Sequence, residues 1–380
     1  MIYGNPEVAT VLLHEQGVGG NLQPWTNPRP KTESWGAQRG PGALLAHGLL
    51  EKVYGAGFAR VETDSIWVDF PGLDKAGGIG DRLGERIGLD RSARGAHLLG
   101  FPFNQEYPYR PLGKGLTAAV NHLEGLRWFH TVDYLKCMSA LANGNFLIHL
   151  SGTHDGDIGA VAAVSTYHNL RKGQKVGLVS FDAHGDYNTI RISPSGNLHG
   201  MHNAIATMKH MRGERYLAFL GSQNLRAPLR KINPENLLHI GGRAFDPLEA
   251  MLMRRDRISI FSMPAIEYAK RQKTLEDVLA SYYHDAMIGT DAVIVSIDWD
   301  VLDPNSISHG RLAVSCQEEQ GLYPEDLETM LGIIAKGRAP VAALLCSELN
   351  PHSGPDILGQ SFGLAVQIMG NFLHQSRGLR

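Results

Sequence analysis

The sequence predicts a three-layer α/β fold in which a mainly parallel sheet is flanked by helices on both faces. Short β-branched or apolar runs bounded by Gly, Asp or Ser recur along the chain, and helix-length segments with apolar periodicity separate them. Bulk composition agrees, since 380 residues with 43% hydrophobic and 19% charged content can bury a sizeable core. In chain order the expected strands are VATVLL (8–13), NFLIHLSG (145–152), KVGLVSFD (175–182), YLAFLGS (216–222), LLHIGG (237–242), DAVIVSID (291–298) and VAALLCSE (341–348). Helices are expected over 157–171, 199–212, 274–289, 324–336 and 357–374. Residues 66–114 are rich in Gly, Pro, Arg and aromatics and read as a loop-rich insertion, of a length usual for a lid, an oligomer contact or a disordered segment. No repeat, low-complexity tract or clean linker divides the chain, so 1–380 is expected to form a single domain.

Several function classes are disfavoured by composition. A formal net charge of -2 and the absence of Lys/Arg runs give no footprint for nucleic acid or a membrane surface, so the expected partner is a small molecule. Cys137, Cys316 and Cys346 are odd in number and far apart, which indicates neither a disulfide framework nor a thiolate zinc site and fits a reducing cytoplasm. The first residues, MIYGNPEVATVLLHEQG, lack a basic segment followed by a long apolar one, and no stretch approaches ~18 consecutive apolar residues. Neither a signal for export nor a membrane span is expected.

Ligands of open α/β sheets bind beyond the carboxyl ends of the strands, so the residues that follow each apolar run carry the chemistry. KVGLVSF runs into Asp182-Ala183-His184-Gly185-Asp186, and DAVIVSI into Asp298-Trp299-Asp300. NFLIHLSG is followed by His154, and VAALLCS by Glu348. If the backbone stays extended past the strand ends, alternation points Asp182, His184 and Asp186 to one side, and likewise Asp298 and Asp300. Four clustered aspartates carry a charge of about -4, which two divalent cations would cancel. Oxygen-rich ligands with few imidazoles suit Mn²⁺, with Ni²⁺ as the alternative. Two such ions could share one water and lower its pKa, in the best zinc case from ~15.7 to ~7.

Other readings of single residues are blander. The aspartates could be solvated turn residues, although charge concentrated at strand ends calls for a partner. His154 could cap a helix or sit in the core, and His149, alternating within its apolar strand, is expected to be a core residue. Asp303 before Pro304 reads as a turn residue, while Asp155 and Asp157 are expected to favour the next helix electrostatically. Trp299 and Tyr187 are expected to pack.

Taken together, DAHGD, SIDWDVLDP and a histidine after a Gly-containing turn are similar to the three signatures of the ureohydrolase (arginase/agmatinase) family, in the same order and at comparable separations. The resemblance covers roughly 140–375, with a weaker echo at 31–57, and implies an arginase-like fold and cleavage of a guanidino group to urea and an amine. By position, it implies that one ion is held by His154, Asp182, Asp186 and Asp298 and the other by Asp182, His184, Asp298 and Asp300. Asp186 is implied to accept a hydrogen bond from the shared water, and Glu348 in SELNP to pair with the substrate guanidinium. The stretch DAHGDYNTIRISPSGNLHG resembles the arginase branch in particular, where Asn188 and Ser195 would contact the substrate carboxylate and His199 would shuttle a proton to the leaving amine. Asp246 and Glu249 in GGRAFDPLE resemble the acidic pair near the substrate amino group. Read as residues alone, Asn188, Ser195 and Asp246 could equally cap loops, and His199 could be an exposed residue at a helix start.

Two departures stand out. Family members usually carry Gly-Gly-Asp-His-Ser around the first ligand, whereas this chain has Ser151-Gly152-Thr153-His154-Asp155, with Thr153 where an aspartate is expected. After Pro304 the usual Gly/Thr/Pro-rich loop is replaced by NSISHGRLAVSCQEEQG (305–321), where a side chain such as Arg311 or Gln317 could shorten the pocket. The resemblance therefore implies L-arginine as substrate, with agmatine, a guanidino acid or guanidine as alternatives. A catalytically idle partner of an active paralogue is the reading from another class, and retention of all six ligand positions argues against it. A homo-oligomer, trimer or hexamer, is implied by the resemblance alone.

Overall fold

A computed structural model describes residues 7–15, 44, 48–67, 123–189, 192–195, 197–207, 232–304, 306, 320–349 and 358–378. The apolar runs fold as β1 (Val8–Glu15), β3 (Phe146–Ser151), β4 (Val176–Phe181), β5 (Leu237–Ile240), β7 (Ala292–Asp298) and β8 (Val341–Ser347). Two further strands, β2 (Arg60–Trp67) and β6 (Ser259–Phe261), lie at the two edges. All eight form one parallel sheet in the order β2-β1-β3-β8-β7-β4-β5-β6. β3 and β4 are consecutive in sequence yet separated in space, because β7 and β8 return to fill the gap between them. That return sets four strand ends side by side in the middle of the sheet.

Among the described residues the helices are α1 (Leu49–Gly55), α2 (Leu123–Ala142), α3 (Ile158–Lys172), α4 (His202–Thr207), α5 (Pro247–Arg255), α6 (Met263–Gln272), α7 (Leu275–Ala286), α8 (Pro324–Ala335) and α9 (Leu358–Ser376). Pro stands in the first turn of α5, α6 and α8, where its missing N–H costs nothing, and α3 stops at Gly173 in the left-handed region. Strand period two divides the core into two layers. Ile148, Val179, Val295 and Leu344 face α1, α6, α7, α8 and α9, while Leu147, Leu178, Ile294 and Leu345 face α2, α3, α4 and α5. Burying each such side chain contributes ~1.5–3 kcal/mol, so the central strands need helices on both sides. A bulge in β8 places Ala342 and Ala343 on the same face before alternation resumes.

The three-layer parallel architecture is the one expected, with local differences. The expected helix at 199–212 is a 3₁₀ turn, His199–Met201, followed by α4, and its last residues lie outside the described ones, as does the expected strand at 216–222. β2 claims Ile66 and Trp67 from the expected insertion, whose residues 68–114 lie outside the description. Of the 31–57 stretch only Leu44 and residues 48–57 are described, and of 305–321 only Ser306, Gln320 and Gly321, so Arg311, Cys316 and Gln317 lie outside.

Candidate metal centre

Each of the four central strands delivers an acidic or imidazole group at its carboxyl end: β3 to His154, β4 to Asp182, His184 and Asp186, β7 to Asp298 and Asp300, and β8 to Glu348. The backbone does not stay extended past these ends, contrary to the alternation argument. Instead Asp182 Oδ1 accepts the His184 amide at 2.7 Å, and Asp298 Oδ1 accepts the Asp300 amide at 2.9 Å. Short aspartates fold back onto the amide two residues on, so each Asp-x-(His/Asp) motif closes a turn that aims both side chains into one space. Ala183 N donates to Asp300 Oδ1 at 3.0 Å and ties the two turns together. Arg243, which the sequence reading did not single out, donates to the carbonyls of Asp300, Val301 and Leu302 and holds the second turn from behind.

Asp186 and Glu348 have left-handed backbones, φ 49 and 64. Such conformations cost of the order of 1–3 kcal/mol and persist where surroundings enforce them. Around Asp186 the enforcement is visible: its carbonyl accepts the amides of Asn203 and Ala204 at the start of α4. Before it, Gly185 leaves no room for a side chain, since a Cβ there would sit 2.7 Å from Glu249 Cδ and 2.9 Å from Met253 Sδ.

These turns make two clusters that share Asp182. His154 Nδ1 lies 2.8 Å from Asp186 Oδ2, 3.1 Å from Asp182 Oδ2 and 3.3 Å from Asp298 Oδ2. His184 Nδ1 lies 2.8 Å from Asp300 Oδ2 and 3.7 Å from Asp182 Oδ1. Both groups have the donor types and spacing to hold a metal ion. The fit to cations rests on a specific observation: buried His154 Nδ1 and Asp182 Oδ2 approach to 3.1 Å, yet neither makes a hydrogen bond. A cation placed between them would satisfy both buried atoms at once.

Protonation equilibria show the excess of negative charge. Burial and then the charges of Asp300 and Glu348 push Asp298 well up, and burial with the charge of Asp182 pushes Asp186 up. Burial and then Asp300 raise Glu348. Burial works against protonated His154 and His184, but the surrounding aspartates outweigh it and hold both imidazoles well above their usual range. Asp182, despite burial, is held well down by the two histidines. Protons thus stand in for missing positive charge.

Beside the clusters lies a cavity of about 380 Å³, lined by His184, Asp186, Asp298, Asp300 and Glu348 on one side and by Asn188, Ser195, His199, Asp246 and Glu249 on the other. The structure therefore brings together the residues that the resemblance assigned to ligation, catalysis and substrate contact, with His154 and Asp182 beside the cavity lining. Glu249 is already engaged: Oε1 accepts the Tyr187 amide at 2.7 Å and Asn188 Nδ2 at 3.3 Å, and Oε2 accepts the Asp246 amide at 3.0 Å. Asn188 Nδ2 also donates to Asp246 Oδ2 at 2.8 Å, leaving Oδ1 buried without a partner. Two carboxylates around Nδ2 fix that amide orientation, since the flipped form would face them with its oxygen. Ser195 Oγ accepts the Asn197 amide. Burial, reinforced by His184 and His154, pushes His199 down to about 4.

The blander readings divide. Asp303 is a turn residue, its Oδ2 accepting the amides of Gln320 and Gly321, and Trp299 and Tyr187 are buried packing residues, Tyr187 also donating to Asp256. His149 is buried but is more than a packing residue, for its ring nitrogens lie 2.9 Å from Asp157 and 3.2 Å from Asp133. Asp157, at the start of α3, does not cap the helix with its side chain and is instead bound by Ser151, His149 and Ser296. The signal for His149 in the sequence was a polar residue within an apolar strand.

A family model described as "Arginase family" matches residues 123–374. An arginase of Bacillus caldovelox is 34% identical over 228 residues, covering 60% of this chain and 68% of that protein. An arginase of Bacillus subtilis (strain 168) is 31% identical over 170 residues, 45% of this chain and 51% of that protein, so the match spans about half its length. Among solved structures, the arginase from Bacillus cereus has the same fold, with a TM-score of 0.68 at 20% identity over 96% of this chain and 98% of that one.

Proposed function

From the premise that the chain belongs to the arginase family, we propose that it is a binuclear-metal amidinohydrolase that cleaves L-arginine to ornithine and urea. The observation that carries this reading is the gathering of His154, Asp182 and Asp186 in one cluster and of Asp182, His184 and Asp300 in another, with Asp298 Oδ2 3.3 Å from His154 Nδ1, beside a cavity that His184, Asp186, Asp298 and Asp300 line. In this reading His154, Asp182, Asp186 and Asp298 would hold one ion, and Asp182, His184, Asp298 and Asp300 would hold the other. Mn²⁺ suits this oxygen-rich set, with Ni²⁺ as the alternative. Bound divalent ions supply Lewis acidity that lowers the pKa of a water, in the best zinc case from ~15.7 to ~7.

The chain's own groups then divide the remaining work. Glu348 offers a carboxylate whose two oxygens match the donor fork of a guanidinium. Asp186 accepts a hydrogen bond from the nucleophilic water and orients it. His199, neutral near pH 7 in the structure, takes up a proton on a ring nitrogen and passes it to the departing amine. Asp246 receives the substrate amino group, while Glu249 holds Asp246 and the Tyr187 amide in place. Ser195 and Asn188 would read the substrate carboxylate.

One observation favours a second reading. Asn188 Nδ2 is spent on Asp246 and Glu249, so the amide has no donor left for a substrate carboxylate, which suits a cationic substrate without one, such as agmatine. Urea release from L-arginine, agmatine, 4-guanidinobutyrate and guanidine decides between them. A site built to hydrogen-bond a head group discriminates by ~10⁴, so L-arginine should lead by that order under the first reading, and agmatine should lead under the second. Urea from none of the four would overturn both. A cytoplasmic homo-oligomer, trimer or hexamer, completes the proposal; the buried free thiols of Cys137 and Cys346 support a reducing compartment, and no helix among the described residues is long and apolar enough to cross a membrane.

A further inference from the structure

A chain of buried polar groups, none of which lines the cavity, runs away from His154. His154 Nε2 lies 3.3 Å from Ser296 Oγ, and Ser296 Oγ donates to Asp157 Oδ2 at 3.3 Å. Asp157 Oδ1 accepts Ser151 Oγ at 2.7 Å and faces His149 Nδ1 at 2.9 Å. His149 Nε2 in turn faces Asp133 Oδ1 at 3.2 Å, which also accepts Cys137 Sγ at 3.2 Å. Every one of these residues is buried, between β3, β7, α2 and α3.

The chain has a direction. Ser296 spends its single proton on Asp157, so toward His154 it can only accept, and Nε2 must be the nitrogen that carries a proton. Nδ1 is then left with its lone pair facing Asp182, Asp186 and Asp298, as a ligand requires. His202 stacks on the His154 ring at 4.1 Å between centroids and fixes its plane. We propose that Asp157, backed by His149 and Asp133, is a positioning residue that sets the tautomer and orientation of His154 and thereby the affinity of one of the two metal ions. The inference rests on the binuclear reading above.

Two points favour this over a packing role. The face of β3 that carries His149 otherwise packs apolar groups such as Leu147, and buried ionisable groups are tolerated there only when paired. Burial alone would push His149 down, but Asp133 and Asp157 hold it up at about 9, so it stays cationic and keeps Asp157 an acceptor at neutral pH. Asp157, three residues after His154, thus supplies a carboxylate behind it in a chain that has Thr at 153.

Calorimetric titration of the full-length protein with Mn²⁺ tests the proposal in wild type, Asp157→Asn, Ser296→Ala and Ser296→Thr. Loss of an outer partner of a ligating histidine weakens metal binding by ~10–100-fold, so one ion should weaken by that factor in Asp157→Asn and Ser296→Ala while the other is unchanged. Ser296→Thr, which keeps the hydroxyl, should restore the lost affinity. Two ions bound with wild-type affinity in both variants, whatever their melting temperatures, would overturn the proposal, as would equal weakening of both ions. If Asp157→Asn does not fold, Ser296→Ala, which deletes one oxygen, decides alone. A wild-type protein that binds no Mn²⁺ would overturn the binuclear reading and this inference with it, whereas two ions in wild type with unchanged variants would overturn only this one.

Discussion

Replacing His149 with Gln should remove a contribution to stability that fades as the solution becomes alkaline. The imidazole is fully buried between Asp133 and Asp157, and although burial disfavours its charge, the two carboxylates hold its pKa up at about 9 against an ordinary value of 6.5. A folded-state pKa above the unfolded one means that folding takes up a proton. The contribution is therefore complete below pH 6.5 and is lost as pH rises through about 9. A shift of that size corresponds to ~3 kcal/mol. Asp157, which burial would raise but His149 holds down, titrates on the acid side and leaves this window clear. Urea unfolding of wild type and His149→Gln at about pH 6 and about pH 10 should show the gap between them shrinking by ~3 kcal/mol. The midpoint of the His149 ring-nitrogen NMR titration should fall near 9. A gap independent of pH, or a midpoint at or below 6.5, would refute the ionised triad.

Asp182→Asn and Asp298→Asn are each expected to abolish activity and release metal, because each carboxylate would serve both ions in the proposed centre. His199→Asn should instead lower turnover by ~10²–10⁴ with both ions retained, and equal metal loss in all three, read by elemental analysis, would show His199 misassigned. Gly185→Ala forces a methyl against Glu249 and Met253, so it should cost ~1–3 kcal/mol and disturb the Asp186 turn. An unchanged melting temperature and unchanged turnover would contradict that packing.

The central strands were readable because they are buried on both faces: FLIHLS, VGLVSF, AVIVSID and VAALLCS are nearly unbroken apolar runs that end in polar residues. β2, RVETDSIW, escaped notice because an edge strand tolerates charge, and β6 because three residues carry no period. α2 was hidden by its buried His130 and Asp133, which break the apolar stripe that marks a helix. The metal-type residues stood out because acidic or imidazole groups follow each of four apolar runs, whereas the sheet order that brings those ends together is a tertiary fact. Ser296 and Arg243 carried no signal, and His149 and Asp157 read only as a core residue and a helix-start acid, because their roles depend on partners elsewhere in the chain, such as Asp133 for His149 or the carbonyl of Asp300 for Arg243.

The most direct test of the binuclear account is turnover of a guanidino substrate followed as metal-free protein receives measured equivalents of Mn²⁺. The sharing of Asp182 by both clusters predicts activity that rises to a plateau only at two equivalents per chain. Full activity with one equivalent or none would contradict it.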